Sequence, residues 1–114
     1  MVDLNRPIYL MIEDIARVEL EFPSTDAEFP VITLTEINNA DILNFDNKEY
    51  GSDVTFQIDV WDNGDTREKC EEIASEVSKR LTQNSFVRTF ARGFKDASGL
   101  QRKTMKFNIK ILEL

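Results

Sequence analysis

Val54-Thr55-Phe56-Gln57-Ile58-Asp59-Val60-Trp61 alternates apolar and polar side chains, the period-two signature of a strand with one buried face. Asp62-Asn63-Gly64-Asp65 follows and turns the chain. Cys70, Ile73, Ala74, Val77 and Leu81 then fall on one face of a helix. Asp65 or Thr66 is its expected cap, and the acids Asp65 and Glu68 at its start and the bases Lys79 and Arg80 at its end suit the helix dipole. A half-buried strand running through a tight turn into an amphipathic helix points to a helix-on-sheet, α+β arrangement.

Upstream, Val31-Ile-Thr-Leu-Thr-Glu-Ile37 is rich in β-branched residues and reads as a strand that pairs antiparallel with 54–61. The intervening 38–52, with four asparagines and scattered apolar residues, reads as a long exposed loop. Before it, Ile8, Met11, Ile12 and Ile15 form a helical stripe over about 7–16 with Pro7 in the first turn and Asn5 as cap. Val18, Leu20 and Phe22 then alternate with Glu19 and Glu21, a short strand ending at Pro23. Downstream, Phe86–Phe94, a turn at Lys95-Asp-Ala-Ser-Gly99, and Lys103, Met105, Phe107, Ile109 and Ile111 on one face make a terminal hairpin. Phe86, Phe90 and Phe94 share parity with Arg88 and Arg92, a conflict that a bulge would resolve. The expected order is α-(β)-β-β-α-β-β: a single domain over 1–114, with an antiparallel or mixed sheet of four to five strands packed by two helices.

Composition narrows the chemistry. The 114 residues contain no histidine, which removes Ser-His-Asp and Cys-His catalysis and imidazole metal ligation. Cys70 is alone, so neither an intrachain disulfide nor a cysteine zinc site can form, and in its helical stripe it reads as core. No apolar run is long enough for a membrane helix, and the N-terminus lacks the features of a signal peptide. The four glycines, at 51, 64, 93 and 99, are scattered and make no phosphate loop. A calcium loop centred on Gly64 fails because Trp61 and Cys70 would occupy ligand positions three and twelve. Glu36 and Asp59 are the nearest acidic pair for metal-assisted chemistry, beside the plainer reading of a solvated acidic face. No catalytic, metal or cofactor site is expected, and the chain does not read as an enzyme.

Charge is the more informative feature. Residues 1–78 hold 19 acids and 5 bases, whereas 79–114 hold 2 acids and 9 bases, within a net charge of −7. Three readings fit: complementary charge within the domain, a basic hairpin meeting the acidic surface of a neighbour, or phosphate contact by Arg88, Arg92, Lys95, Arg102, Lys103, Lys106 and Lys110. Tyr50 and Trp61 are the aromatic candidates for an oligomer contact, a stacked ligand or the edge of the core.

Val18-Glu-Leu-Glu-Phe-Pro23, Phe29-Pro-Val-Ile-Thr33, Glu36-Ile-Asn-Asn39, Tyr50, Val54–Trp61, Phe86-Val-Arg88 and Leu100-Gln-Arg-Lys-Thr-Met-Lys-Phe107 together resemble the tail-terminator or tail-completion proteins of long-tailed bacteriophages and prophages, the small head–tail joining family. The likeness spans roughly 18–108 and carries no catalytic motif. It implies a structural virion protein on the head-proximal end of the tail, assembled in the host cytoplasm. Its subunits would close into a ring, a hexamer, that stops tube growth and meets both the tail tube protein and the head completion or connector protein. DNA would pass through the lumen without specific binding. Arg88, Arg92, Lys95 and Lys103 are the expected interface charges, and 38–53 and the 95–99 tip the expected docking elements. The competing reading is a small acidic protein-binding module of regulatory or immunity type, and a metal-dependent acid enzyme stands behind it.

Overall fold

The computed structural model describes residues 1–45 and 48–112. Along the chain run α1 (Asn5–Ile12), β1 (Arg17–Leu20), β2 (Val31–Phe45), β3 (Lys48–Asp62), α2 (Glu68–Gln83), β4 (Val87–Lys95) and β5 (Gln101–Leu112). The strands form one mixed sheet in the order β1-β2-β3-β5-β4, in which β1 alone runs parallel to its neighbour. The α+β class and the expected order of elements hold.

Alternation on β3 sends Val54, Phe56, Ile58 and Val60 to one face, where they meet Ile32 and Leu34 of β2 and Met105 and Phe107 of β5. Both helices pack here: Leu4, Ile8 and Ile12 from the first, and Cys70, Ile73, Ala74, Val77 and Leu81 from the second. The helical face read from the sequence of α2 is therefore its buried face.

The ends of the helices differ from expectation. α1 spans Asn5–Ile12 rather than 7–16, and Asn5 is not its cap. Asp3 instead accepts both the backbone N–H and the side-chain Nδ2 of Asn5 at 3.0 Å, a use of the first free helix donor that makes a capping asparagine unnecessary. The expected caps of α2, Asp65 and Thr66, are displaced by Arg67 at the N-cap position, with no side-chain capping bond. Asp62 takes the turn instead, its carboxylate accepting the Gly64 N–H at 3.3 Å.

The expected loop over 38–52 is largely strand. β2 continues to Phe45 and β3 begins at Lys48, while the loop's residues 46 and 47 lie outside the described residues. Register shifts at Glu36/Asn38, Asp41/Leu43 and Leu43/Asn44 interrupt the alternation, and that interruption gives strand sequence the look of a loop. The last described residue of β5, Leu112, pairs with Gly51 of β3, and the molecule measures 55 × 27 × 23 Å.

In the terminal hairpin the parity conflict is settled by a register shift between Arg88 and Phe90. Arg88 pairs with Phe107 on the helix-covered side, whereas Phe90, Arg92 and Phe94 pair with Lys106, Thr104 and Arg102 on the other. Phe86, just before the strand, is buried in the core.

Candidate functional site

Pairing register lines up the side chains of the face opposite the helices. Trp61 stands beside Arg102 and Phe94, Asp59 beside Thr104 and Arg92, Gln57 beside Lys106 and Phe90, and Asp53 beside Lys110. Arg102 lies over Trp61, 4.2 Å from the ring centroid, and 5.5 Å from that of Phe94; Arg92 caps the Phe94 ring at 5.0 Å and Lys106 the Phe90 ring at 5.3 Å. Asp59, 1% exposed, accepts Arg102 Nε at 2.9 Å, Thr104 Oγ1 at 2.5 Å and Gln57 Nε2 at 3.0 Å. Farther along the same face, Asp53 accepts Asn108 Nδ2 at 2.5 Å and pairs with Lys110 at 3.8 Å. The acids of this face are thus spent on internal partners.

Most of the charge asymmetry survives in space. Residues 13–36, comprising β1, its flanks and the start of β2, hold seven acids and one base; the β4–β5 hairpin, 87–112, holds seven bases and one acid. β1 and β4 are the two edges of the sheet, so the two signs occupy opposite ends of it. Internal pairing removes part of each set. Arg102, Lys103 and Lys110 pair with Asp59, Glu71 and Asp53, while Asp14 pairs with Arg80 and Glu19 with Arg17. Among the described residues no ion pair is made by Arg88, Arg92, Lys95 or Lys106 at one edge, nor by Glu13, Glu21, Asp26, Glu28 or Glu36 at the other.

The six residues singled out from the sequence do not form one cluster. Arg88 donates to Ser78 Oγ of α2 at 3.1 Å and Lys103 reaches Glu71 Oε2 of α2 at 3.0 Å, both on the helix side. Arg92 lies on the opposite face and Lys95 at the end of β4, opposite Gln101. Trp61 is 4% exposed, its Nε1 donating to Thr33 Oγ1 at 2.9 Å. Tyr50 sits on β3 next to Gly51, which pairs with the last described residue of β5. The Arg102–Trp61–Phe94 stack was not legible from local sequence, because it depends on strand order and register, although the parity of Asp59 and Trp61 placed both off the core face.

The molecule also shows apolar side chains at its edges. Val87 is 61% and Phe90 43% exposed on β4; Leu20 is 65% exposed at the end of β1 and Phe22 70% just after it. A groove between α1 and β1 is lined by Tyr9, Val18, Leu20 and Leu34, with Asn5, Arg6 and Glu19 at its polar margin.

Glu36 and Asp59 fall on opposite faces: Glu36 pairs with core-facing Phe56, and Asp59 is enclosed on the helix-free side. Among the described residues no group of three or more His, Cys, Asp or Glu side chains is placed to hold a metal ion, and no helix is long and apolar enough to cross a membrane. What the arrangement offers is a pair of unlike edges, one anionic and one cationic, each with exposed apolar side chains.

The model of the family described as tail completion protein gp17 matches residues 10–112. Among solved structures, one titled as bacteriophage SPP1 gp17 protein is similar at 21% identity, covering 91% of this chain and 79% of its own, with a TM-score of 0.44. No curated protein matches.

Proposed function

This chain belongs to the tail completion protein gp17 family and is a structural protein of the bacteriophage tail; from that premise we propose that it closes with copies of itself into a hexameric ring on the head-proximal end of the tail tube, ends tube growth there, and joins the tail to the head connector. The observation that carries the proposal is the placement of unpaired acids and unpaired bases at opposite edges of one sheet. A ring requires a heterologous interface, in which one patch of a subunit meets a different patch of the next. Edges of opposite sign supply such a pair, and like edges repel, which disfavours the two-fold dimer that would otherwise compete.

Residues 38–53 of the β2–β3 hairpin and the 95–99 tip are the elements proposed to meet the tube and the connector, since connections carried at the end of a sheet commonly make partner contacts. Arg88, Arg92, Lys95 and Lys103, with Tyr50 and Trp61, remain the proposed contact residues, Trp61 acting through the Arg102 guanidinium that covers it. DNA passes the proposed lumen without specific binding, and assembly takes place in the host cytoplasm.

Light scattering across protein and salt concentration, followed by electron microscopy of purified tail tubes mixed with the protein, tests this. The expected result is a salt-sensitive ring, or density at one end only of each tube. A monomer that leaves both tube ends bare removes the proposal.

A further inference from the structure

The sheet ends on one side in a long strand whose outer edge is open and guarded only by one bulge and its basic side chains. β4 is nine residues long, contains no proline, and is exposed over its first six positions. Natural sheets shield such an edge with shortness, proline, charged side chains, bulges or a covering element, because its free N–H and C=O groups otherwise template pairing with another chain. β4 has a single register shift, between Arg88 and Phe90, and shows Val87 and Phe90 beside its free edge. The opposite edge is β1, four residues paired on one side only, followed by the exposed Phe22.

From these two edges we infer that protomers join by strand addition, β4 of one copy pairing antiparallel with the outer edge of β1 of the next. This rests on the ring reading above and specifies its interface. Strand direction supports it. β1 runs with β2, and each later step across the sheet, to β3, to β5 and to β4, reverses direction. β4 therefore runs opposite to β1, and a rotated copy that keeps its helices on the same side presents β1 antiparallel to the previous β4. Side-chain faces also agree. Arg92, on the helix-free face of β4, comes to the face that carries Glu19 on β1, since Glu19 pairs with Thr33, which pairs with Asp59. The partner is a second copy rather than another acidic protein because unpaired charge of opposite sign, exposed apolar side chains and complementary strand polarity are all present at the two edges of this chain. Backbone pairing supplies the affinity and the charges the register and partner choice.

The test uses the full chain and compares ring with protomer, the ring formed alone or on tail tubes. Amides of 87–95 and 17–20 should exchange at least about tenfold more slowly in the ring, as expected for hydrogen bonds that open only with the interface. Arg92→Glu and Glu19→Lys should each weaken ring formation about tenfold, and the double variant should recover it, as for a charge pair across an interface. Circular dichroism of the protomers checks that each variant folds. A ring whose β4 amides exchange as fast as those of the protomer overturns strand addition and leaves the ring reading standing, as does a double variant that fails to recover while both single variants fold. Protomers that form no ring, alone or on tubes, overturn both.

Discussion

Arg102 donates through Nε to Asp59 Oδ1 at 2.9 Å on the face of the sheet opposite the helices, and the Asp59 side chain is 2% exposed. A carboxylate so enclosed needs a counter-charge, since removing one partner of a buried pair leaves the other charge without water or cation. Arg102→Met keeps an apolar stem over Trp61 but takes the cation away, and is expected to cost about 3 kcal/mol. Asp59→Asn keeps an acceptor and leaves a guanidinium that can turn toward solvent, for about 1–2 kcal/mol. Urea denaturation of the two variants checks the order; equal losses would show that the carboxylate is not the costly partner.

Arg80 ties the two helices together. Its Nη1 donates to the Met11 carbonyl at the end of α1 at 3.1 Å and to Asp14, while Nε reaches Glu76 at 3.1 Å. Arg80→Ala should speed amide exchange over 5–12 while α2 stays protected. The Arg80 hydrogen bond holds the Asp14 carboxyl below its ordinary 3.8. A carboxylate lowered in the folded state contributes stability that is complete above that ordinary value and fades as pH falls through the lowered one. The gap between wild type and Arg80→Ala should therefore narrow below about pH 3.8 without closing, because the Met11 carbonyl does not titrate. A pH-independent gap would assign the effect to the carbonyl alone.

The parts of the fold visible in the sequence are those fixed by local periodicity. The alternation of Val54–Trp61 and the helical stripe of Cys70–Leu81 each report one buried face, and both faces are buried as read. The expected break near Phe90 was legible because its aromatic and basic residues shared a parity that no regular strand could satisfy. The continuation of β2 through Asn38, Asn39 and Asn44 was not, since each register shift resets the alternation and asparagine is common in loops. For the candidate site, the opposite signs of the two chain segments were readable, but their arrival at opposite sheet edges was not. That placement depends on β5 inserting between β3 and β4, and on β1 pairing outside β2, which local sequence does not encode. The same holds for Arg88 and Arg92, four residues apart and on opposite faces.

Cys70 illustrates a thiol committed to packing. It is 2% exposed, lies 3.6 Å from the Val60 carbonyl and 3.5 Å from that of Gln101, and burial, with Asp62 and Glu71 nearby, pushes its pKa up to about 11. Because the thiolate is the reactive form, alkylation by iodoacetamide at pH 8 should be slow in the native protein and fast in denaturant. A thiol raised from an ordinary 9.0 contributes stability that is complete below that value and lost as pH rises through about 11. Rapid native labelling at pH 8 would place the sulfur at the surface.

Gly51 pairs with Leu43 of β2 on one side and with Leu112, the last described residue of β5, on the other. A Cβ there would stand 2.9 Å from Ile42 Cγ1, 3.0 Å from the Ile111 carbonyl oxygen and 3.1 Å from Leu112 Cδ2. The two side-chain ends can swing away, but the carbonyl belongs to the backbone of β5, so Gly51→Ala must part the strands there. The expected cost is about 1–3 kcal/mol, as for other overpacked sites. Gly99 offers the contrast: its φ of 89° disfavours any side chain, yet nothing lies within 4 Å of an added Cβ, so Gly99→Ala should cost about 1–2 kcal/mol and act only on the hairpin tip. If the β2–β3 hairpin is what meets the tail tube, Gly51→Ala should reduce capping of tubes more than it reduces ring formation. The two are measured by electron microscopy and light scattering on the same preparation. Equal loss of both would tie the hairpin to contacts within the ring instead.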